Sequence, residues 1–110
     1  MPPVCRIGDM DLVHCGPEAP FRAQGSSNVF VNGLPVSRQG DNNTVHLKPC
    51  GDKCCPHTAK ISVGSTKVFV NGRGIGRLGD SVADCTAVAQ GSPNVFAGGW
   101  YMPLSCNVNL

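Results

Sequence analysis

A threefold internal repeat is the feature that most constrains the fold of this chain. Each repeat opens on an Arg-x-Gly-Asp motif, which ends at Asp9, Asp41 and Asp80. Each repeat closes on a Gly-Ser-x-x-Val-Phe motif, which ends at Phe30, Phe69 and Phe96. Self-similarity of this kind means that one short structural unit is built several times within a single architecture. We therefore predict a monomer with pseudo-threefold symmetry.

The repeats occupy most of the chain. We place them at about residues 4–35, 36–74 and 75–99, so that one domain spans 1–99 and a short tail covers 100–110. A chain of 110 residues can bury one modest core but not two. The middle repeat also contains a cysteine-rich insertion at residues 48–57, which has no counterpart in the other two.

The local signals favour strands and tight turns. Two β-branched runs, residues 29–31 and 68–70, each end in an Asn-Gly dipeptide, which is typical of a type I′ hairpin turn. The chain has 14 Gly and 9 Pro, and no segment keeps a helical apolar period. Residues 82–89 could form one or two helical turns at most. We predict an all-β fold of short strands and hairpins, in which the three repeated phenylalanines are core or strand residues.

Each repeat also offers one potential metal ligand. Five residues after each motif Asp stand His14, His46 and Cys85, so that the three lie at one equivalent position. The chain has seven cysteines, an odd number, and its first residues lack the apolar stretch of a secretory signal. We therefore expect a protein made in the cytoplasm, where thiols stay reduced and bind metals more readily than they form disulfides.

The repeated Arg and Asp residues do not predict catalysis. A catalytic site has no need of three copies around a symmetric body, so the motif is better explained as a turn. Glycine supplies an unusual φ angle and the Asp carboxylate bonds nearby backbone amides. A net charge of +2 is too small to indicate nucleic acid or an anionic membrane surface as the partner.

The complete pattern resembles the PAAR-repeat proteins, which cap the central spike of type VI secretion systems and contractile phage tails. The resemblance rests on Gly-Asp, a ligand five residues later, and Gly-Ser-x-x-Val before the next Arg-x-Gly-Asp. It covers residues 6–99. It implies a small conical β-rich fold with a zinc ion at the narrow end; the choice between zinc and iron, the less favoured metal, stays open. It also implies that a fourth ligand, His57, joins His14, His46 and Cys85.

What the resemblance implies about function is mechanical and not enzymatic. The chain would be a metal-pinned tip on a trimeric β-helical spike, one chain per trimer, at the end of an extracellular injection device or in a virion tail. It would help to pierce the target envelope and could carry bound effectors. Origin from a phage or from a secretion system, and the identity of any cargo, stay open.

The extra cysteines leave several alternatives open. Cys50, Cys54 and Cys55 lie close to His57 in sequence and could replace it as the fourth ligand. They could instead form a second metal site or a loop of reduced thiols. Pairing of Cys5 with Cys106 is likewise undecided. The alternative function is a Cys/His zinc-binding interaction module, although the paired C-x-x-C spacing of such modules is missing.

Overall fold

The fold, a computed structural model, is described here for residues 1–13, 15–83 and 86–99. Within these ranges it contains strands and turns but no helix, and hence none long and apolar enough to span a membrane. In the described residues, eight short strands form four separate antiparallel pairs. The pairs are β1 (Phe30–Val31) with β2 (Leu34–Pro35), β3 (His46–Cys50) with β4 (Lys53–His57), β5 (Phe69–Val70) with β6 (Arg73–Gly74), and β7 (Ser81–Val82) with β8 (Thr86–Ala87). The predicted all-β architecture is confirmed.

The two Asn-Gly turns adopt the predicted conformation. Asn32 and Gly33 have φ angles of 54° and 78°, and Asn71 and Gly72 have the same pair of values. Positive φ at both central positions defines a type I′ turn, whose twist matches that of the flanking strands. The turns bring Val31 opposite Leu34 in the first hairpin.

The third repeat closes its hairpin with the start of the chain. Phe96 forms a β-bridge with Pro3, as Phe30 does with Pro35 in the first hairpin. The Ala97 amide donates to the Pro2 carbonyl over 3.1 Å. Gly99 has a φ of 106° at the place where Gly33 stands in the first turn. Residues 2–6 are therefore the return strand of the third repeat.

Three equivalent strand segments meet at the pseudo-threefold axis, and we call residues 3–6, 35–38 and 74–77 the central plate. The Ser37 amide donates to the Cys5 carbonyl, the Gly76 amide to the Ser37 carbonyl, and the Cys5 amide to the Gly76 carbonyl. These bonds, 2.8 to 3.1 Å long, form a closed ring. A Cβ on Gly76 would lie 2.7 Å from the Cys5 sulfur, so only glycine fits there.

The core lies on both faces of the central plate, because alternate side chains of a strand point to opposite sides. One cluster contains Val4, Val36, Val70, Ile75 and Ala97, and it faces the Asn-Gly hairpins; we call this the hairpin side. The other contains Cys5, Ala59, Ile61, Val82 and Val88. It faces the segments that lead to His46, and we call this the histidine side.

The structure decides two points that the sequence left open. No helical turn occurs in the described part of residues 82–89, because Val82 pairs with Thr86 across the β7–β8 hairpin. Of the two roles expected for the repeated phenylalanines, core or strand, they take the strand role: Phe30 lies in β1, Phe69 in β5 and Phe96 in a β-bridge, and none is a core residue. Phe30, Phe69 and Phe96 are 55%, 59% and 48% exposed, since the valines that alternate with them fill the core instead.

Candidate functional site

The Arg-x-Gly-Asp motif folds into the same ion-paired turn in all three repeats. In the first, the Asp9 carboxylate accepts from the Arg6 amide over 2.7 Å and from the guanidinium through Nε and Nη2. Gly8 supplies a φ of 94°. The same contacts recur at Arg38 with Asp41 and at Arg77 with Asp80. The carboxylates therefore hold turns together, as the sequence predicted.

Hydrogen bonds from serine between repeats, and from arginine within each repeat, carry the threefold pattern further. The Asn32 side-chain oxygen accepts from the Ser92 hydroxyl over 2.6 Å and from the Arg6 guanidinium over 2.9 Å. The Asn71 oxygen receives the equivalent pair of bonds from Ser26 and Arg38. In the third repeat the Gly98 carbonyl replaces the asparagine, accepting from Ser65 and Arg77. Each repeat is thus tied to the next around the axis.

The exposed phenylalanines form a threefold set of apolar groups on the hairpin side. Phe30 and Phe69 occupy equivalent strand positions, and Phe96 occupies the same position in the hairpin completed by Pro3. A half-exposed aromatic ring leaves apolar surface in contact with water in a free monomer, which is unfavourable. Three such rings at equivalent positions therefore indicate a surface built for contact.

His46 and His57 lie directly opposite each other on β3 and β4. Their Nε2 atoms are 2.8 Å apart, and the ring centroids are separated by 4.3 Å. The Nδ1 atom of His46 donates to the Thr44 carbonyl over 2.8 Å, which in the neutral ring leaves the Nε2 lone pair directed at His57. This is the tautomer that a metal-binding histidine requires, with its other nitrogen held by a carbonyl.

The histidine pair fits a tetrahedral metal ion with a small movement. Two nitrogens at 2.0–2.1 Å from a tetrahedral zinc ion lie about 3.3–3.4 Å from each other, so the rings would separate by about half an ångström. The other two predicted ligands, His14 and Cys85, lie outside the described residues. Among residues 1–13, 15–83 and 86–99, no group of three or more His, Cys, Asp and Glu side chains is arranged to bind a metal.

The cysteine-rich insertion is not a loop of reduced thiols, which corrects the sequence-based expectation. It forms most of β3 and β4, and it contains two disulfides, Cys50–Cys55 and Cys15–Cys54. The adjacent residues Cys54 and Cys55 can both pair because successive side chains of a strand point to opposite faces. With Cys50, Cys54 and Cys55 in disulfides, these three residues supply no thiolate for a second metal site.

Comparison with known families agrees with the repeated geometry. The PAAR motif matches residues 50–101, which include the end of the second repeat and the whole of the third. The chain therefore carries a PAAR motif, which supports a PAAR-repeat protein. The first repeat lies outside the match, but its Arg6–Asp9 turn and its Ser26 contacts reproduce those of the other two. No curated protein sequence matches the chain.

The PAAR motif points to a general function. PAAR proteins form the tips of spikes in secretion systems and phages, they bind VgrG-type spikes, and they are structural rather than enzymatic. The motif therefore supports a PAAR-type spike-tip protein. The ion-paired turns and the hydrogen bonds between repeats agree with a mechanical role, because every carboxylate of the three motifs serves as a structural acceptor.

One cluster in this PAAR domain was not predicted from the sequence. Asp11 and Arg22 are fully buried next to Asn43, on the histidine side of the central plate. The Asp11 Oδ2 atom is 3.5 Å from Arg22 Nη2 and accepts from the side-chain amide of Asn43 (Nδ2) over 2.9 Å. Within the described part of the chain, the Asp11 Oδ1, Arg22 Nε and Arg22 Nη1 atoms have no hydrogen-bond partner. Burial raises the pKa of Asp11 above its ordinary value, although Arg22 and Asn43 act to lower it.

Cys5 lies at the axis beside this cluster and keeps a free thiol. Burial raises the pKa of the Cys5 thiol far above its ordinary range, so that it stays neutral. Cys106, whose pairing with Cys5 the sequence leaves undecided, lies outside the described residues. Cys5 therefore acts as a small apolar side chain that fills the space left by Gly76.

Proposed function

We propose that this protein caps the blunt end of a trimeric β-helical spike, of the VgrG type or from a phage tail, with one chain on each trimer. The observation that carries the proposal is the set of three half-exposed phenylalanines at equivalent positions on the hairpin side. A single chain with three similar faces can present one face to each protomer of a true trimer. Capping would also cover the unpaired backbone groups at the ends of the spike strands.

The expected energetics support this docking surface. Each phenylalanine that moves from half exposure to burial contributes on the order of 1 kcal/mol, and more where its ring packs well. Three such contacts act together because they lie on one rigid body, held by the Ser–Asn hydrogen bonds between repeats. The opposite end of the molecule would then point toward the target envelope and help to pierce it, with or without bound effectors.

We also propose that a zinc ion stabilises the histidine side, bound by His14, His46, His57 and Cys85. The donor set of nitrogen and sulfur suits zinc, and four protein ligands leave no position for a substrate. The direct pairing of His46 with His57 supports the two ligands that lie in the described residues. Such a site would add folding free energy where the narrow end of the protein has few apolar atoms.

The docking surface is tested by substitution of the three phenylalanines. Full-length protein is mixed with a purified trimeric spike, and the complex is weighed by native mass spectrometry. We expect one chain per trimer, roughly 5–50-fold weaker binding for Phe30→Asp, Phe69→Asp or Phe96→Asp alone, and no complex for the triple variant.

Phe21 provides a matched control, because it is the fourth phenylalanine, is 43% exposed and lies on the histidine side. Phe21→Asp should bind the trimer as the wild type does. Three chains per trimer, or equal loss of binding in Phe21→Asp and Phe30→Asp, would contradict the proposed docking surface.

A further inference from the structure

The β3–β4 hairpin separates its cysteines between two faces. His46, Lys48 and Cys50 alternate along β3 with the more exposed Leu47 and Pro49. On β4, Cys55 and His57 are half-buried, whereas Cys54 and Pro56 are exposed. Because side chains alternate across a strand, Cys55 shares a face with the histidine pair and Cys54 points away from it.

Cys55 is within reach of an ion bound by the two histidines. It lies two residues before His57 on the same face, about 6.6 Å along the strand, and two rungs from the pair of His46 with His57. Cysteine sulfur and histidine nitrogen bind one zinc ion at about 2.3 and 2.0–2.1 Å, which spans such a separation. In the disulfide form the Cys55 sulfur is bonded to Cys50 and cannot coordinate.

Cys50 cannot take the same place. It lies four residues from His46, about 13 Å along the strand, which is beyond the combined reach of a cysteine and a histidine on one ion. Its Cα atom is 5.9 Å from that of Cys55, a separation that suits a disulfide. Cys50 is therefore placed to bind Cys55 but not the metal.

We propose that Cys55 is a redox-controlled metal ligand, and that Cys50 masks it by forming a disulfide. The proposal rests on metal binding by His46 and His57, which is part of the proposed function. Two monothiol molecules reduce the Cys50–Cys55 bond, give it two electrons and two protons, and leave as their own disulfide. The Cys55 thiol then releases its proton to water when its sulfur binds the ion. Oxidation of the pair reverses these steps.

Among the described residues no group of three His, Cys, Asp or Glu side chains is arranged to bind a metal in the disulfide form, so this site in the β3–β4 hairpin forms only after reduction. It uses His46, His57 and Cys55, and it needs neither His14 nor Cys85. In the reducing cytoplasm the hairpin could retain the ion through Cys55, and after export the disulfide would leave the ion to the ligands supplied by the three repeats.

The test uses the full chain with His14→Ala and Cys85→Ser, reduced with a phosphine and titrated with Co²⁺. We expect cobalt binding with a thiolate-to-cobalt charge-transfer band. Adding Cys55→Ser should remove the band and weaken binding by more than the roughly 10–100-fold that loss of an outer-shell partner costs. Adding Cys54→Ser should leave the band intact, because Cys54 lies on the other face. In the Cys50→Ser background, the band should survive conditions that oxidise the parent protein.

A second measurement uses the wild type, so that the test does not depend on the folding of the double variant. Reduced protein is alkylated with iodoacetamide, with and without zinc, and the labelled cysteines are located by mass spectrometry. Zinc should protect Cys55 but not Cys50 or Cys54. A band that persists without Cys55, no band in the reduced double variant, or equal labelling of Cys50 and Cys55 in zinc would overturn the proposal. The proposed four-ligand centre is judged separately, by metal binding to the oxidised wild type.

Discussion

Arg22 occupies a position that is apolar in the other two repeats. The amide of Gly8 donates to the Arg22 carbonyl, just as the amides of Gly40 and Gly79 donate to Ile61 and Val88. By the same register, Asp11 lies two residues after its motif Asp, where the second repeat has Asn43 and the third has Val82. A buried ion pair therefore lies in the same layer as apolar core residues of the other repeats.

Removing one partner of this pair should destabilise the protein strongly. Asp11→Asn leaves Arg22 buried without a counter-charge. Arg22→Met likewise leaves the Asp11 carboxylate buried without one. We expect each single change to lower the free energy of unfolding by about 3–5 kcal/mol. The double variant should be more stable than either single one, because no buried charge remains and the amide oxygen introduced by Asp11→Asn can still accept from Asn43. Urea unfolding at pH 7 measures all four proteins.

The exposed ion pair of Arg73 with Asp41 provides the comparison. Arg73 is half exposed at 47%, and Asp41 retains its bonds to Arg38 when Arg73 is lost. Arg73→Met should therefore change stability by about 1 kcal/mol or less. If the Asp11 and Arg22 effects simply add in the double variant, the two residues do not act as a pair.

The pH dependence of stability gives the same cluster an independent test. A raised pKa means that the folded protein holds the Asp11 proton more tightly than the unfolded chain does. The resulting stabilisation is complete below the ordinary pKa of 3.8 and is lost as pH rises through the higher folded value. Unfolding free energies measured upward from pH 3 should therefore fall more steeply in the wild type than in the Asp11→Asn/Arg22→Met variant. Equal slopes would mean that Asp11 titrates as in the unfolded chain.

Among the turns and strands, the sequence predicts those features that depend only on residues next to each other in the chain. The Asn-Gly turns at 32–33 and 71–72 could be predicted because their φ angles follow from local sterics. The exposure of Phe30 could not, since it depends on which face of a two-residue strand meets the core. The disulfide partners could not either, because Cys15 and Cys54 are 39 residues apart and only the fold of the hairpin brings them together.

The β3–β4 hairpin, which contains His46 and His57, should depend on a bound metal for its stability. The spacing of His46 predicted a ligand position from the repeat, and the pairing with His57 appears only when β3 and β4 are aligned. Protein purified without added metal should contain one zinc per chain by elemental analysis. Cys85→Ser should lose the zinc and unfold at a lower temperature, because binding free energy contributes to folding. A stably folded wild type without metal would rule out the proposed centre.

For the molecule as a whole, the decisive contacts join its two ends. Val4 bridges Arg77, the Leu78 amide donates to the Pro3 carbonyl, and the Ser92 amide donates to the Val4 carbonyl over 2.7 Å. No pattern in the sequence predicts these contacts. The repeats follow one another along the chain, whereas the third hairpin is split between the start of the chain and residues 96–99. The threefold symmetry is therefore complete in space although it is interrupted in the sequence.

This split hairpin predicts that the chain can be reconnected. Gly99 is equivalent to Gly33 of the first turn, and Pro2 is equivalent to Leu34, the residue after that turn. A direct peptide bond from Gly99 to Pro2 should therefore close a hairpin without a linker. We expect a permuted protein that starts at Leu34, runs to Gly99, and continues from Pro2 to Gly33 to fold. Its unfolding free energy should lie within about 1–2 kcal/mol of that of a linear 1–99 protein, because it loses only one turn.

The control removes the return strand instead of moving it. A protein lacking residues 2–5 loses the bridges to Phe96 and Arg77, the Cys5 amide bond at the axis and the Val4 side chain from the core. Loss of a fully buried valine and several buried hydrogen bonds should leave this protein unfolded or nearly so. Circular dichroism and urea titration compare the three proteins. If the permuted protein unfolds like the truncated one, the contacts of residues 2–6 require a free N-terminus, and the closed threefold arrangement is not what stabilises the domain.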